Sequence, residues 1–202
     1  MRYDPERHHR RSIRLQGYDY RQAGGYFITL VTQDRASIFG EVVDGEMRLN
    51  EYGQIVRAEW FRSGEIRREI ELYPDEFVVM PNHIHGVIWI VETCGGATGA
   101  SPQPHAPTIV RAHRRAPLHR APLQRPPRSL SSFVAGFKSA VTKRINEHRG
   151  TLGAPVWQRN YYEHIIRNED DLEAIRHYIL TNPSRWHEDR ENPYFVVADP
   201  SV

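Results

Sequence analysis

The stretch PNHIHGVIWI, Pro81 to Ile90, decides how the chain is read. A Pro-Asn break is followed by an apolar, β-branched run, which is the pattern of a strand entered through a turn. Alternate side chains of a strand share a face, so His83 and His85 point the same way while Ile84 points to the packed side. Two imidazoles with neighbouring Cβ atoms suit chelation of one ion, and imidazole accepts Mn²⁺, Zn²⁺, Fe²⁺ or Cu²⁺. In a chain with eleven histidines such a pair also arises by chance. The neighbourhood carries the argument: the pair opens its strand directly after a break, where a site can stay open to substrate.

Rival chemistries want other residues. A histidine-triad hydrolase needs a third histidine at position 87, which is Val87. A zinc protease needs two histidines four apart on a helix with a glutamate between them. An amidohydrolase barrel needs eight βα units, which 202 residues in this element order cannot supply. Structural zinc is disfavoured by the single cysteine, Cys94.

Outward from the pair, EFVVM (Glu76–Met80) reads as a short strand joined so closely to the next that the two pair antiparallel. Upstream, GYFITLVT (Gly25–Thr32) reads as a strand, and Ser37–Leu49 as a hairpin turning at Asp44-Gly45. Asn50 caps a helix running to Glu69, with Tyr52, Ile55, Val56, Trp60 and Ile66 at helical intervals. Downstream, residues 95–127 are rich in Gly, Pro, Ala, His and Arg and repeat RAPL at 115–118 and 120–123, the composition of a low-complexity insertion. Ser129–His148 is an amphipathic helix with a stripe of Leu130, Phe133, Val134, Phe137, Val141 and Ile145. Tyr162–Ile166 reads as a last strand, and Asn168 caps a helix that stops near Pro183. This order predicts an α+β fold, an antiparallel sheet covered by helices. The chain divides into a basic N-terminal arm (1–24), one domain (25–190) carrying the insertion, and a tail (191–202).

Composition sets the outer bounds. Hydrophobic residues make up 39% of the chain and charged residues 26%, as in an ordinary soluble protein. The longest apolar run, Val87–Val91, is far too short to span a bilayer, and the Arg-rich first fourteen residues are no secretory signal. One cysteine allows no internal disulfide, which suits a reducing cytoplasm. Net charge is only +2, but from Thr93 to Asn146 there is no Asp or Glu. That stretch carries Arg111, Arg114, Arg115, Arg120, Arg125, Arg128, Lys138, Lys143 and Arg144. A one-signed region attracts polyanions, with phosphate-backbone binding as its commonest use; the bland alternative is a solvated basic loop.

In the last helix, NEDDLEAIRHYILTNP (Asn168–Pro183), Leu172, Ile175 and Ile179 form the buried stripe. Tyr178 and Asn182 stack one turn apart on its flank. A tyrosine there can reach a cleft between helix and sheet, and Asn182 can supply a neutral oxygen as third ligand, shifting a two-histidine site toward Mg²⁺ or Mn²⁺. A nearby cation lowers a phenol's pKa and polarises a phosphate under attack. The bland alternative for Tyr178 is a half-buried core aromatic.

Four segments together, PNHIHGVIWI (81–90), SLSSFVAGFKSAVTKRIN (129–146), VWQRNYYEHIIRNEDDL (156–172) and YILTNP (178–183), resemble the single-tyrosine HUH transposases, most closely the REP-associated tyrosine transposases. The similarity runs from RSIRLQGYDY (11–20) to about Trp186, leaving out the insertion. The resemblance implies an RRM-like (ferredoxin-like) HUH endonuclease fold. It also implies single-stranded or hairpin DNA as partner, Mg²⁺ or Mn²⁺, and strand cleavage through a 5′-phosphotyrosine. Carried over by motif, His83 and His85 are the HUH ligands, Tyr178 the nucleophile and Asn182 the third ligand. Tyr161 and Tyr162 are rival phenols that the family pattern places, with Trp157 and His164, in supporting or core positions. Arg111, Arg114, Arg115, Arg128, Lys138, Lys143 and Arg144 are the expected DNA contacts, and a monomer is favoured over a homodimer. The competing readings are a catalytically silent nucleic-acid-binding domain on the same sheet and a metal-dependent phosphoesterase for small substrates.

Overall fold

The structure, a computed structural model, describes residues 18–92 and 128–194. Most of the N-terminal arm, the 95–127 insertion with Arg111, Arg114 and Arg115, and the end of the tail lie outside the described residues. Seven strands and three helices follow one another as β1 (Gly24–Val31), β2 (Gly40–Val43), β3 (Glu46–Leu49), α1 (Glu51–Ile66), β4 (Ile70–Glu71), β5 (Phe77–Val79), β6 (His83–Ile90), α2 (Leu130–His148), β7 (Tyr162–Ile165) and α3 (Glu169–Thr181).

The centre of the sheet is β1 against β6, antiparallel from Gly24 opposite Ile90 to Val31 opposite His83. Both strands are near-continuous apolar runs because both of their faces are covered. β7 adds to the free side of β1, with Thr29 opposite Tyr162. β5 and the two-residue β4 add to the free side of β6. Setting aside the β2–β3 hairpin, which forms its own small sheet, the sheet elements and helices run β-α-β-β-α-β with the first and third strands at the centre. That is the ferredoxin-like arrangement. The hairpin turns where expected: Asp44 and Gly45 both take positive φ, 53° and 79°, as a two-residue turn of this type requires.

The two faces of the sheet have different fates. Ile28, Leu30, Ile84 and Ile88 face α1 and α2 and join the main core. There the Trp60 ring stacks on Phe77 at 4.5 Å and meets Phe133 and Phe137 edge-on. The opposite face carries Phe27 and Val87, covered by Ile175 and Ile179 of α3. Helix starts are set by side chains: Asn50 accepts from the Tyr52 and Gly53 N–H groups, Ser129 and Ser132 form a reciprocal capping box, and Asn168 accepts from Asp171.

Strand ends differ from the sequence reading by a residue, and larger differences lie at the end of α1 and at the two ends of the packed unit. α1 stops at Ile66 rather than Glu69, because Arg67 is extended (φ −109°, ψ 98°). Ile66, counted with the apolar stripe, is 69% exposed, whereas Ile70 is buried by pairing with Ile90. Burial of Ile70 in the sheet thus wins over one more helical turn. At the ends, Tyr18 and Tyr20 pack on Tyr26, and buried Asn192 donates to the Trp186 carbonyl, so the packed unit extends beyond 25–190 on both sides. Among the described residues no helix is long and apolar enough to cross a membrane.

Gly86 lies between the two site-facing positions His85 and Val87, with its own Cα toward the main core. A Cβ there would sit 2.6 Å from the Trp60 ring. Gly86→Ala is therefore expected to destabilise the fold by about 1–3 kcal/mol through overpacking, read as a lower midpoint in urea unfolding with unchanged slope.

Candidate functional site

His83 and His85 enter the open side of the sheet together, as strand parity requires, and bring their Nε2 atoms to 3.0 Å. Both are buried, at 0% and 3% exposure. Each ring is held from behind. The Nδ1 of His83 lies 2.8 Å from Asn82 Oδ1, and that of His85 lies 2.8 Å from Oγ1 of Thr29, its partner across the β1–β6 ladder. Phe27 stacks on His85 at 5.5 Å between ring centres and 20° between planes.

Tyr178 reaches over from α3. Its hydroxyl is 3.2 Å from His85 Nε2, while its ring edge packs on Phe27 and 41% of the residue remains exposed. Asn182, one turn later, is buried; its Oδ1 has no hydrogen-bond partner among the described residues, and its Nδ2 lies 3.4 Å from Asp189 Oδ2. Asp189 was not anticipated. The chain turns back after α3 through a 3-10 segment, Pro183–Glu188, and sets Asp189 Oδ2 3.7 Å from His83 Nε2. The ligand atoms of His83, His85 and Asp189 all lie within 4.8 Å of one another. Nothing in the spacing of HEDREN (187–192) marks Asp189 out; only the return of the chain does.

These donors fit a divalent cation. Two imidazole nitrogens converge, a largely buried carboxylate lies 3.7 Å from one of them, and a buried amide oxygen has no hydrogen-bond partner among the described residues; a cation would draw on all four. Burial pushes His83 down to about 4, against the opposing pull of Asp189 and Asn182. It holds His85 well below the ordinary imidazole range, with His83 adding to the effect. Both rings are therefore neutral at pH 7. Burial first, and the Asp189 carboxylate second, push the Tyr178 phenol up.

Two polar clamps fix α3. Fully buried Glu76 accepts from Trp89 Nε1 at 2.6 Å and from Arg176 at 2.6 and 2.9 Å, pinning the helix to β6 two residues before Tyr178. At the other end His164 of β7 meets Asp171 at 2.9 Å, and that partner holds the Asp171 carboxyl below its usual range. Between helix and sheet opens a cleft of about 540 Å³, lined by Phe27, Tyr162, Tyr178, Arg185, Asp189 and Arg190 among others.

No family model matches the chain. An uncharacterized protein of Haemophilus influenzae is 36% identical over 189 residues, which covers 94% of this chain and 96% of that one. The chain belongs to that protein's family. Among solved structures it resembles a REP-associated tyrosine transposase bound to a REP hairpin, at 18% identity and a TM-score of 0.51, over 86% of this chain and 74% of that one. The chain thus shares the fold of that transposase, the α+β arrangement that the sequence resemblance implies.

The remaining predicted residues divide. Tyr162 shares the site face and lines the mouth of the cleft, whereas Tyr161 packs against the main core beneath Lys138. Trp157 is a core residue. Lys138 donates to the carbonyls of Gln158 and Asn160, and Arg144 to the buried Glu59 at 2.7 Å, so both make structural contacts within the protein. Lys143 is exposed beside Glu147, and Arg128 is exposed at the entry to α2. α2 packs on the sheet face opposite the histidine pair, so these α2 cations are not brought to the cleft.

The depressed imidazoles set a pH dependence. Below the ordinary value of 6.5 the unfolded chain takes up protons that folded His83 resists until about pH 4. Their stabilising contribution is complete above the unfolded value and is lost as pH falls through that window. The urea midpoint in chelator is expected to decline from about pH 6.5 toward 4, and less steeply in His83→Gln; equal declines in the two proteins would refute this.

Proposed function

We propose that the chain is a metal-dependent endonuclease and strand transferase acting on single-stranded or hairpin DNA, with Tyr178 as nucleophile. The observation that carries this reading is the phenol 3.2 Å from one of two buried neutral imidazoles, in a cleft with an anionic carboxylate and a spare amide oxygen. The known hairpin-bound relative in fold supports DNA as the substrate class.

His83 and His85 would hold a divalent ion with the Asp189 carboxylate and the Asn182 amide oxygen. The mixed nitrogen and oxygen set favours Mn²⁺, with Mg²⁺ as the harder alternative. Such an ion would polarise the phosphodiester and lower the pKa of a neighbouring phenol. The Tyr178 oxygen attacks phosphorus and forms a P–O bond to the 5′ side. The bond to the 3′ oxygen breaks, and that oxygen leaves with a proton from solvent as a free 3′-hydroxyl. The phenol's own proton passes to solvent in the open cleft. The phosphotyrosine conserves the energy of the broken bond, so a second 3′-hydroxyl can reverse the step and rejoin strands.

α3 supplies orientation. With Arg176 and Asp171 clamped to the sheet, the phenol is presented without searching for its geometry, which is where much of the rate advantage of a covalent enzyme arises. Tyr162, half exposed on the same face, gives aromatic surface near the nucleophile on which an unpaired base can stack. Arg185 and Arg190 on the cleft wall suit phosphate contacts. Arg111, Arg114 and Arg115, with Arg128 and Lys143, would add longer-range attraction for the DNA backbone.

Labelled hairpin-flanked single-stranded DNA incubated with the protein and Mn²⁺ is expected to yield a denaturation-resistant adduct. Tyr178→Phe should lower its formation by roughly 10⁴-fold or more, as loss of a covalent nucleophile does, while DNA binding persists and Tyr162→Phe still forms it. An adduct that survives in Tyr178→Phe but not in Tyr162→Phe reassigns the nucleophile. Replacing Arg111, Arg114 and Arg115 together by Gln should reduce the slope of log K against log salt by about 2 for single-stranded DNA; an unchanged slope removes these residues from the interface.

A further inference from the structure

Asn82 is fully buried between the first histidine and two distant segments of chain. Its Nδ2 donates to the Arg35 carbonyl at 3.0 Å and to the Glu191 carbonyl at 2.6 Å. Carbonyl oxygens only accept, so these two bonds use both amide protons and fix which way the amide faces. Its Oδ1 is thereby turned to His83 Nδ1 at 2.8 Å. An amide oxygen also only accepts, so the single N–H of a neutral His83 must lie on Nδ1, leaving the Nε2 lone pair directed into the site.

The consequence passes to His85. Its Nε2 lies 3.0 Å from His83 Nε2. Two lone pairs do not face each other at hydrogen-bond distance, and His83 has no proton to spare there. The bridging proton therefore belongs to His85 Nε2, and the Tyr178 hydroxyl 3.2 Å from the same nitrogen can then only accept from it. The Nδ1 of His85 then accepts from the Thr29 hydroxyl at 2.8 Å. A hydroxyl, unlike the Asn82 oxygen, can also accept. Once an ion takes the His85 Nε2 lone pair, the ring can carry its proton on Nδ1 and donate it to Thr29.

Resting on the metal-site reading above, we infer that Asn82 and Thr29 are positioning residues with different tasks. Asn82 presets His83 as a ligand, and Thr29 lets His85 exchange one tautomer for the other as the ion enters. The exchange moves one proton within the ring from Nε2 to Nδ1, so the imidazoles release none to solvent.

Long-range ¹H–¹⁵N spectra of the imidazoles, recorded on the full chain with chelator and then with Zn²⁺ as a diamagnetic probe, read this directly. Without metal, His83 is expected as the Nδ1–H form and His85 as the Nε2–H form. With Zn²⁺, His85 alone changes, to Nδ1–H. A metal-free His83 protonated on Nε2, or a His85 with the same tautomer in both spectra, overturns the inference.

Affinity for Mn²⁺ separates this role from simple loop tethering. Asn82→Leu and Thr29→Val are expected to bind Mn²⁺ about 10–100-fold more weakly. Asn82→Asp keeps an acceptor at His83 but loses both tethering donors. It should unfold more easily yet bind Mn²⁺ more tightly than Asn82→Leu does. Parental affinity in both Asn82→Leu and Thr29→Val overturns the inference, as does an Asn82→Asp protein as weak as Asn82→Leu. Should Asn82→Leu not fold, Thr29→Val and the parental spectra still decide. A protein that binds neither Zn²⁺ nor Mn²⁺ refutes the metal-site reading and with it the tautomer exchange, whereas the metal-free His83 spectrum independently tests the part assigned to Asn82.

Discussion

The register of β6 against β1 is the constraint on which the site depends. Thr29 opposite His85 and Val31 opposite His83 put both imidazoles, and the hydroxyl behind one of them, on the α3 side of the sheet. A slip of one residue would exchange every side chain of β6 between faces. Ile84 and Ile88 would then meet α3, and the histidines would be driven into the Trp60–Phe77 stack. Gly86 makes that slip costly from the other side, since only a residue without Cβ clears the Trp60 ring at that position. The packing of the large core therefore enforces the geometry of the small polar site on its reverse.

The second dependence is the seating of α3. Apolar contact of Ile175 and Ile179 with Phe27 and Val87 fixes which face of the helix is down, but leaves it free to slide. Direction along the sheet comes from polar contacts that reach across the chain. Glu76 is wholly buried and would carry an uncompensated charge without Arg176. The pair thus prefers one helix position strongly over its neighbours, and Tyr178 inherits that position.

The sequence carried these two levels unequally. Strand parity at His83 and His85, the Asp44-Gly45 turn, the caps at Asn50 and Asn168, and the one-turn spacing of Tyr178 and Asn182 are local patterns, and the structure places each where the pattern says. What local pattern does not encode is which distant groups meet. Arg176 and Glu76 lie 100 residues apart, and Asp189 reaches His83 only because the chain folds back after Pro183. Charge counting likewise does not tell what Lys138 and Arg144 touch within the protein. Both belong to the acid-free stretch, yet Lys138 donates to backbone carbonyls and Arg144, itself still exposed, reaches the buried Glu59. The sequence reading carries α1 on to Glu69 because Ile66 falls at a helical interval, whereas the sheet edge gives the next isoleucine, Ile70, deep burial opposite Ile90.

Asp189 joins the electrostatics of the site to its proposed chemistry. Burial first and this carboxylate second push the Tyr178 phenol, protonated at neutral pH even at its ordinary value of about 10, further up. A protonated phenol is a poor nucleophile, which leaves the site chemically quiet whatever DNA lies in the cleft. Under the proposed reading, the same carboxylate is the only anionic group among the four donors that would hold the cation. An ion with two positive charges beside it reverses the sign of the local field at the phenol. One residue would then both suppress the nucleophile without metal and recruit the charge that releases it. Two neutral histidines and an amide could not do this, because they add no field to be reversed.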